Sequence, residues 1–143
     1  MRLSKNFTLE ELCASATARA RGIKNIPGKV EISCLNVLVE NILQPLRDHF
    51  GYPIKIGSGY RCAELNKAVG GVSNSQHTKG EAADLCIDGD KEKGKKWFDY
   101  IRYNLDFDQL IWEHNKKGSY WVHVSVKEQG NRHQVIENLL KKT

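Results

Sequence analysis

The chain has 143 residues, with 40% hydrophobic and 27% charged side chains and a formal net charge of +5. That length suits one domain, residues 1–143, around one core, and the composition excludes a disordered polymer. No apolar run approaches the ~18 residues of a membrane span, so no membrane partner is expected; the charge suggests some attraction to anionic surfaces, cell-wall polymers or nucleic acid, and is too modest to choose between them.

The N-terminal residues, Met1 to Thr8, lack the apolar core of a signal peptide, so synthesis in the cytoplasm is expected. Thr8-Leu9-Glu10-Glu11 reads as a capping box, with Phe7 as a staple against Leu12, and predicts a short helix to about Ala16. A connector rich in breakers follows from Ala18 to Gly28. From Val30 to Phe50, apolar residues at Ile32, Leu35, Leu38, Val39, Ile42, Leu43 and Leu46 recur at helical spacing, and Pro45 should end or bend that helix. Gly51-Tyr52-Pro53 is a turn, Ile54 to Ser58 a short strand, and Glu64 to Val69 a second helix stopped by Gly70-Gly71.

Ala82 to Ile87 reads as a buried strand and Lys91 to Asn104 as a helix turning Trp97, Phe98 and Ile101 inward. Strands from Gln109 to His114 and Tyr120 to Val126 flank a hairpin signal, Asn115-Lys116-Lys117-Gly118, and a short amphipathic helix from about His133 to Leu140 closes the chain. The sum is an α+β fold, helices on a small antiparallel sheet. Cys13, Cys34, Cys62 and Cys86 form no Cys-x-x-Cys pair and read as reduced, mostly buried thiols. His49, His114 and His133 have no ligand context and should be exposed.

His77 and Asp84 lie seven residues apart, and His123 sits in Trp121-Val122-His123-Val124-Ser125. Two imidazoles and one carboxylate make a three-ligand zinc site with an open fourth position, the catalytic pattern. Val122, Val124 and Val126 form the better core face, so His123 points to a cleft on the other side. A three-residue loop, Lys116 to Gly118, would pair Ile111 with His123 and Glu113 with Trp121, bringing Glu113 within a diagonal step of His123; a two-residue loop would turn it to the wrong face. Glu113 is then the candidate general base. Arg61, at the end of a strand, suits stabilisation of substrate charge, because its planar fork clamps a carboxylate. Trp121 shares the His123 face and could line the cleft.

These residues, with Phe7-Thr8-Leu9-Glu10-Glu11-Leu12, Leu43-Gln44-Pro45-Leu46-Arg47, Ser58-Gly59-Tyr60-Arg61, Leu65-Asn66, Gly70-Gly71 and Ser75-x-His77-x-x-Gly80-x-Ala82-x-Asp84 in that order, resemble the zinc D-alanyl-D-alanine carboxypeptidase-like peptidases. That group includes phage endolysins and D,D-dipeptidases and shares its fold with the hedgehog signalling domain. The resemblance implies that His77, Asp84 and His123 bind zinc, that Arg61 engages a substrate carboxylate or carbonyl, and that Ser75 contacts the peptide. Many members place the catalytic acid three residues before the last histidine. Here that position is Tyr120, and Glu113, in Gln109-x-Ile111-x-Glu113, resembles the acid of another branch.

The expected function is hydrolysis of a peptidoglycan stem peptide by a monomeric zinc peptidase, of D-alanyl-D-alanine carboxypeptidase or L-alanyl-D-glutamate endopeptidase type, in the setting of a phage lysin. A rival keeps the zinc and loses the catalysis, as a cell-wall or protein interaction domain; Tyr120 sustains it. A small basic nucleic-acid binder would show steeply salt-dependent DNA binding, and no recognition motif supports it.

Overall fold

In the computed structural model, which describes residues 1–141, Thr8 opens α1 (Leu9–Cys13) by accepting the Glu11 amide at 3.2 Å. Among the described residues the Thr8 half of the predicted capping box is the half that forms. The expected connector from Ala18 instead starts inside a second helix, α2 (Ala16–Arg21). The reason is local: Ser15 Oγ accepts from the Ala18 amide at 3.1 Å, a proper N-cap, and Gly22 at φ 66° closes the other end.

The long helix is interrupted but not broken. α3 (Lys29–Leu38) passes through a π-helical turn (Val39–Leu43) into α4 (Gln44–Phe50). Pro45 has no amide hydrogen, and in a regular helix its ring would press on the Asn41 carbonyl. The wider turn, in which the Gln44 amide donates to the Val39 carbonyl five residues back, accommodates it. Pro45 therefore neither ends the helix nor needs to. Leu35, Leu38, Val39, Ile42, Leu43 and Leu46 all have zero exposure, each such burial worth about 1.5–3 kcal/mol.

This stripe packs on one face of a five-stranded sheet in the order β1 (Ile56–Ser58), β2 (Ala82–Cys86), β4 (Tyr120–Ser125), β3 (Gln109–Asn115), β5 (Gln134–Lys141). Between β1 and β2 lies α5 (Ala63–Ala68), and α6 (Lys91–Asn104) adds Trp97, Phe98 and Ile101 to the same core. Val122, Val124 and Val126 face that core, as their alternation requires. The hairpin has the three-residue loop: the Asn115 amide donates to the Ser119 carbonyl at 3.0 Å, and Ile111 pairs with His123 and Glu113 with Trp121. The opposite face therefore carries two rows across the strands, Asp84–His123–Ile111 and Cys86–Trp121–Glu113.

The C-terminal segment corrects the sequence reading. It is strand β5, not a helix, and it runs parallel to β3, so the sheet is mixed rather than antiparallel. Val135, Ile136, Leu139 and Leu140 mimic helical spacing because of a bulge. Ile136 pairs with Ile111 but Leu139 with Glu113, three residues against two, which resets the alternation. The open edge of β3 offers a ladder that a lone eight-residue helix could not match.

Asp108 fastens the segment leading into β5. Its side chain is fully buried, accepts Arg132 Nη2 at 2.7 Å and the Arg132 amide at 2.9 Å, and also accepts Gln76 Nε2 at 3.1 Å. Chiefly through the Arg132 hydrogen bonds, and against its burial, the carboxyl is pulled down to about 2. A depressed acid stabilises the fold above its unfolded value near ~3.9 and loses that contribution as pH falls through about 2. Asp108→Asn should therefore cost about 1–2 kcal/mol at pH 7, discounted because Arg132 is half exposed. Urea midpoints at pH 7 and pH 2 should show the gap to wild type closing in acid; a gap of constant size would contradict the assignment.

No helix among the described residues is long and apolar enough to cross a membrane. The four cysteines are free and half-buried. His49 and His133 are exposed as expected, but His114 is half-buried, its ring stacked 4.9 Å from that of Tyr120.

Candidate metal centre

Three segments bring His77, Asp84 and His123 together. His77 sits on a 3₁₀ turn (Gln76–Lys79) whose start Ser75 caps, its Oγ accepting the His77 amide at 3.1 Å. Gly80 ends the turn at φ 77°, where a Cβ would also lie 2.4 Å from the Glu31 carbonyl oxygen, so only glycine fits. Asp84 and His123 are direct cross-strand partners on β2 and β4. The ligand-type atoms of the three residues all lie within 4.8 Å of one another.

Their hydrogen bonds prepare them for a cation. His77 is 3% exposed, and its Nδ1–H donates to the Gly59 carbonyl at 2.7 Å. That bond fixes the tautomer and leaves Nε2 with its lone pair, 3.4 Å from Asp84 Oδ2. His123 turns its Nδ1 to Asp84 Oδ1 at 2.9 Å. A tetrahedral zinc with bonds of about 2.0–2.1 Å keeps its ligand atoms roughly 3.3 Å apart, and the two distances bracket that spacing. Burial lowers the proton affinity of His77 despite the nearby Asp84, which favours the neutral imidazole a metal needs. Burial alone would raise Asp84, but the charge of His77 and the bonds from His123 and His77 hold it well below the usual carboxylate range. The donor set thus fits a divalent metal: two imidazoles and one ionised carboxylate, preassembled.

Arg61 lies beneath this group, 6% exposed. Its Nε donates to Ser58 Oγ at 3.0 Å, Nη1 to Asn66 Oδ1 at 3.1 Å, and Nη2 to Asp84 Oδ2 at 3.4 Å. Asn66 is itself oriented by Nδ2 donating to the Val72 carbonyl at 2.7 Å. A Cβ on Gly71 would stand 2.1 Å from Asn66 Oδ1 and 3.0 Å from Arg61 Nη1, so Gly71 is what admits this arrangement. Arg61 therefore first positions the Asp84 carboxylate; two of its five N–H donors remain, and it also lines the cleft.

The cleft has two hollows, of about 540 Å³ and 430 Å³, meeting at Arg61, Asp84 and Lys141. Ser75, Glu113 and both histidines line the first, and Trp121 and Tyr60 the second. Glu113 accepts Trp121 Nε1 at 3.2 Å. Burial, then the charge of Asp84, raises its carboxyl above the ordinary glutamate value, with His123, Lys141 and the Trp121 bond acting against them. Tyr120 packs 5.7 Å from Trp112 and lies under the Lys91 ammonium at 4.0 Å. Its three-residue offset from His123 turns it to the other face of β4.

Sequence reasoning thus named the three clustered donors and Glu113 but missed three parts of the cleft. Asn66 stood in the quoted pattern without a role, and the Gly59 carbonyl carries no side-chain signal. Leu139 and Lys141 line the first hollow from β5, and reading that segment as a helix hid them.

The chain matches the family model described as Peptidase M15 over residues 5–125. No curated protein gives a significant match.

Proposed function

The chain belongs to the Peptidase M15 family, the zinc D-alanyl-D-alanine carboxypeptidase-like peptidases, and on that premise we propose that it is a one-domain zinc peptidase hydrolysing peptidoglycan stem peptides. Members of the family are metal-dependent peptidases, so the reaction class is peptide hydrolysis. The observation that carries the proposal is the convergence of His77, Asp84 and His123, with Glu113 on the same sheet face.

His77 through Nε2, His123 through Nδ1 and Asp84 through its carboxylate would hold the zinc. Bound there, zinc supplies Lewis acidity, polarising a carbonyl and acidifying a water. Glu113 takes the proton of the attacking water and returns it to the leaving amine; its raised proton affinity suits both transfers. Arg61 holds the Asp84 carboxylate in place, and its two remaining donors would meet developing negative charge. Ser75 and Trp121 flank the substrate, one in each hollow. The inactive-domain rival rests on Tyr120 at the usual acid position; Glu113, lining the same hollow as His77, Asp84 and His123, supports the catalytic reading over it.

The scissile bond on this reading is D-alanyl-D-alanine or L-alanyl-D-glutamate, in the setting of a phage lysin. Mass spectrometry of purified muropeptides after incubation tests it. Loss of a terminal alanine, or release of the peptide beyond L-alanine, is expected, and a chelator should stop either. Intact muropeptides after incubation with zinc-loaded protein would refute the proposal.

A further inference from the structure

We propose that Lys141, at the end of β5, binds a carboxylate of the substrate and so selects acidic peptides. This deepens, and rests on, the peptidase reading above. Lys141 shares with only Arg61 and Asp84 the position where the two hollows meet. Its ammonium lies 5.9 Å from the centroid of the Trp121 ring, in the sheet row that holds Glu113. It stands outside the matched residues 5–125, on a wall that β5 adds beside the metal-binding strands.

Elimination strengthens the assignment. Three cations line the cleft: Arg61, Arg132 and Lys141. Arg61 is 6% exposed and tied by three of its donors to Ser58, Asn66 and Asp84, so it cannot swing out to a new carboxylate. Arg132 holds both oxygens of buried Asp108. Lys141 has no ion-pair partner within 4 Å among the described residues. A substrate carboxylate entering here meets two anionic side chains, Asp84 and Glu113, so binding it requires a cation that is free to move to it. A half-buried lysine on a flexible stem meets that need.

The test compares Lys141→Met and Lys141→Arg with wild type on two synthetic stem peptides, one with free carboxylates and one with the same groups amidated. Wild type should prefer the free acid. Lys141→Met should raise KM for the free acid about 10–150-fold, the range of one hydrogen bond to a charged group, leave kcat within about 2-fold, and leave the KM of the amidated peptide unchanged. Lys141→Arg should restore most of the preference. A fall in kcat with a displaced acid limb of the pH profile, and KM unchanged, would mean that Lys141 acts only on Glu113, and would overturn the proposal. Equal KM values for both peptides in wild type would overturn it as well. If wild type cleaves neither peptide, the peptidase reading has failed instead. Calorimetric titration of zinc-loaded protein with both peptides then decides the matter: a free-acid preference lost in Lys141→Met supports the carboxylate site, and its absence in wild type sinks it.

Discussion

Glu113→Gln should lower kcat by about 10²–10⁴-fold, the usual worth of a positioned general base, while zinc binds as in wild type. The substitution is nearly isosteric. Its amide oxygen can still accept Trp121 Nε1, now 3.2 Å from the carboxylate, so the cleft keeps its shape. What disappears is the group that can carry a proton. Glu113 is not among the three clustered donors, so it has no part in holding the metal. Its charge opposes that of Asp84, so neutralising it leaves folding stability unchanged or slightly raised. Single-turnover hydrolysis of muropeptides, paired with metal analysis of the purified variant, checks both halves. Wild-type kcat would remove Glu113 from the chemistry, and loss of zinc would make it part of the metal shell.

The placement of Glu113 also shows why much of the site was legible in the sequence. A side-chain period of two, a valine face and the length of one hairpin loop fix which residues look into the cleft. These are local rules, and Ile111 opposite His123 and Glu113 opposite Trp121 follow from them. The helix from Val30 was legible for the same reason, through its stripe of leucines and isoleucines. What could not be read depends on partners distant in sequence. β5 has the spacing of a helix, and only the free edge of β3 and a bulge make it a strand. The fork of Arg61 looked available for substrate because its partners, Ser58, Asn66 and Asp84, meet it only once Gly71 lets the chain pass close by. The π turn before Pro45 is likewise a packing outcome: the leucine stripe holds both halves of the helix in one core, so the turn widens and the helix does not break.

Asp84→Asn should weaken zinc binding by at least the 10–100-fold that loss of an outer-shell partner produces, since the proposal makes Asp84 a direct ligand. Asparagine keeps the size and one acceptor but removes the only anion among the three donors. A divalent ion would then sit over Arg61 without the charge that offsets both. The loss is measurable without any substrate. Zinc that binds only the folded chain stabilises it in proportion to the logarithm of its concentration over Kd, so a 10–100-fold weaker site gives up about 1.4–2.7 kcal/mol of that stabilisation. The zinc-dependent rise in Tm should shrink accordingly in Asp84→Asn, whereas in Glu113→Gln it should persist in full. The metal-free variant should also lose about 1–3 kcal/mol, because His123, His77 and Arg61 all face the carboxylate that is gone. That second effect appears with a chelator present, and the first does not, so the two separate cleanly. An Asp84→Asn protein whose Tm rises with zinc as far as wild type would show that the metal is held elsewhere, and the assignment of this cleft as the catalytic centre would fall with it.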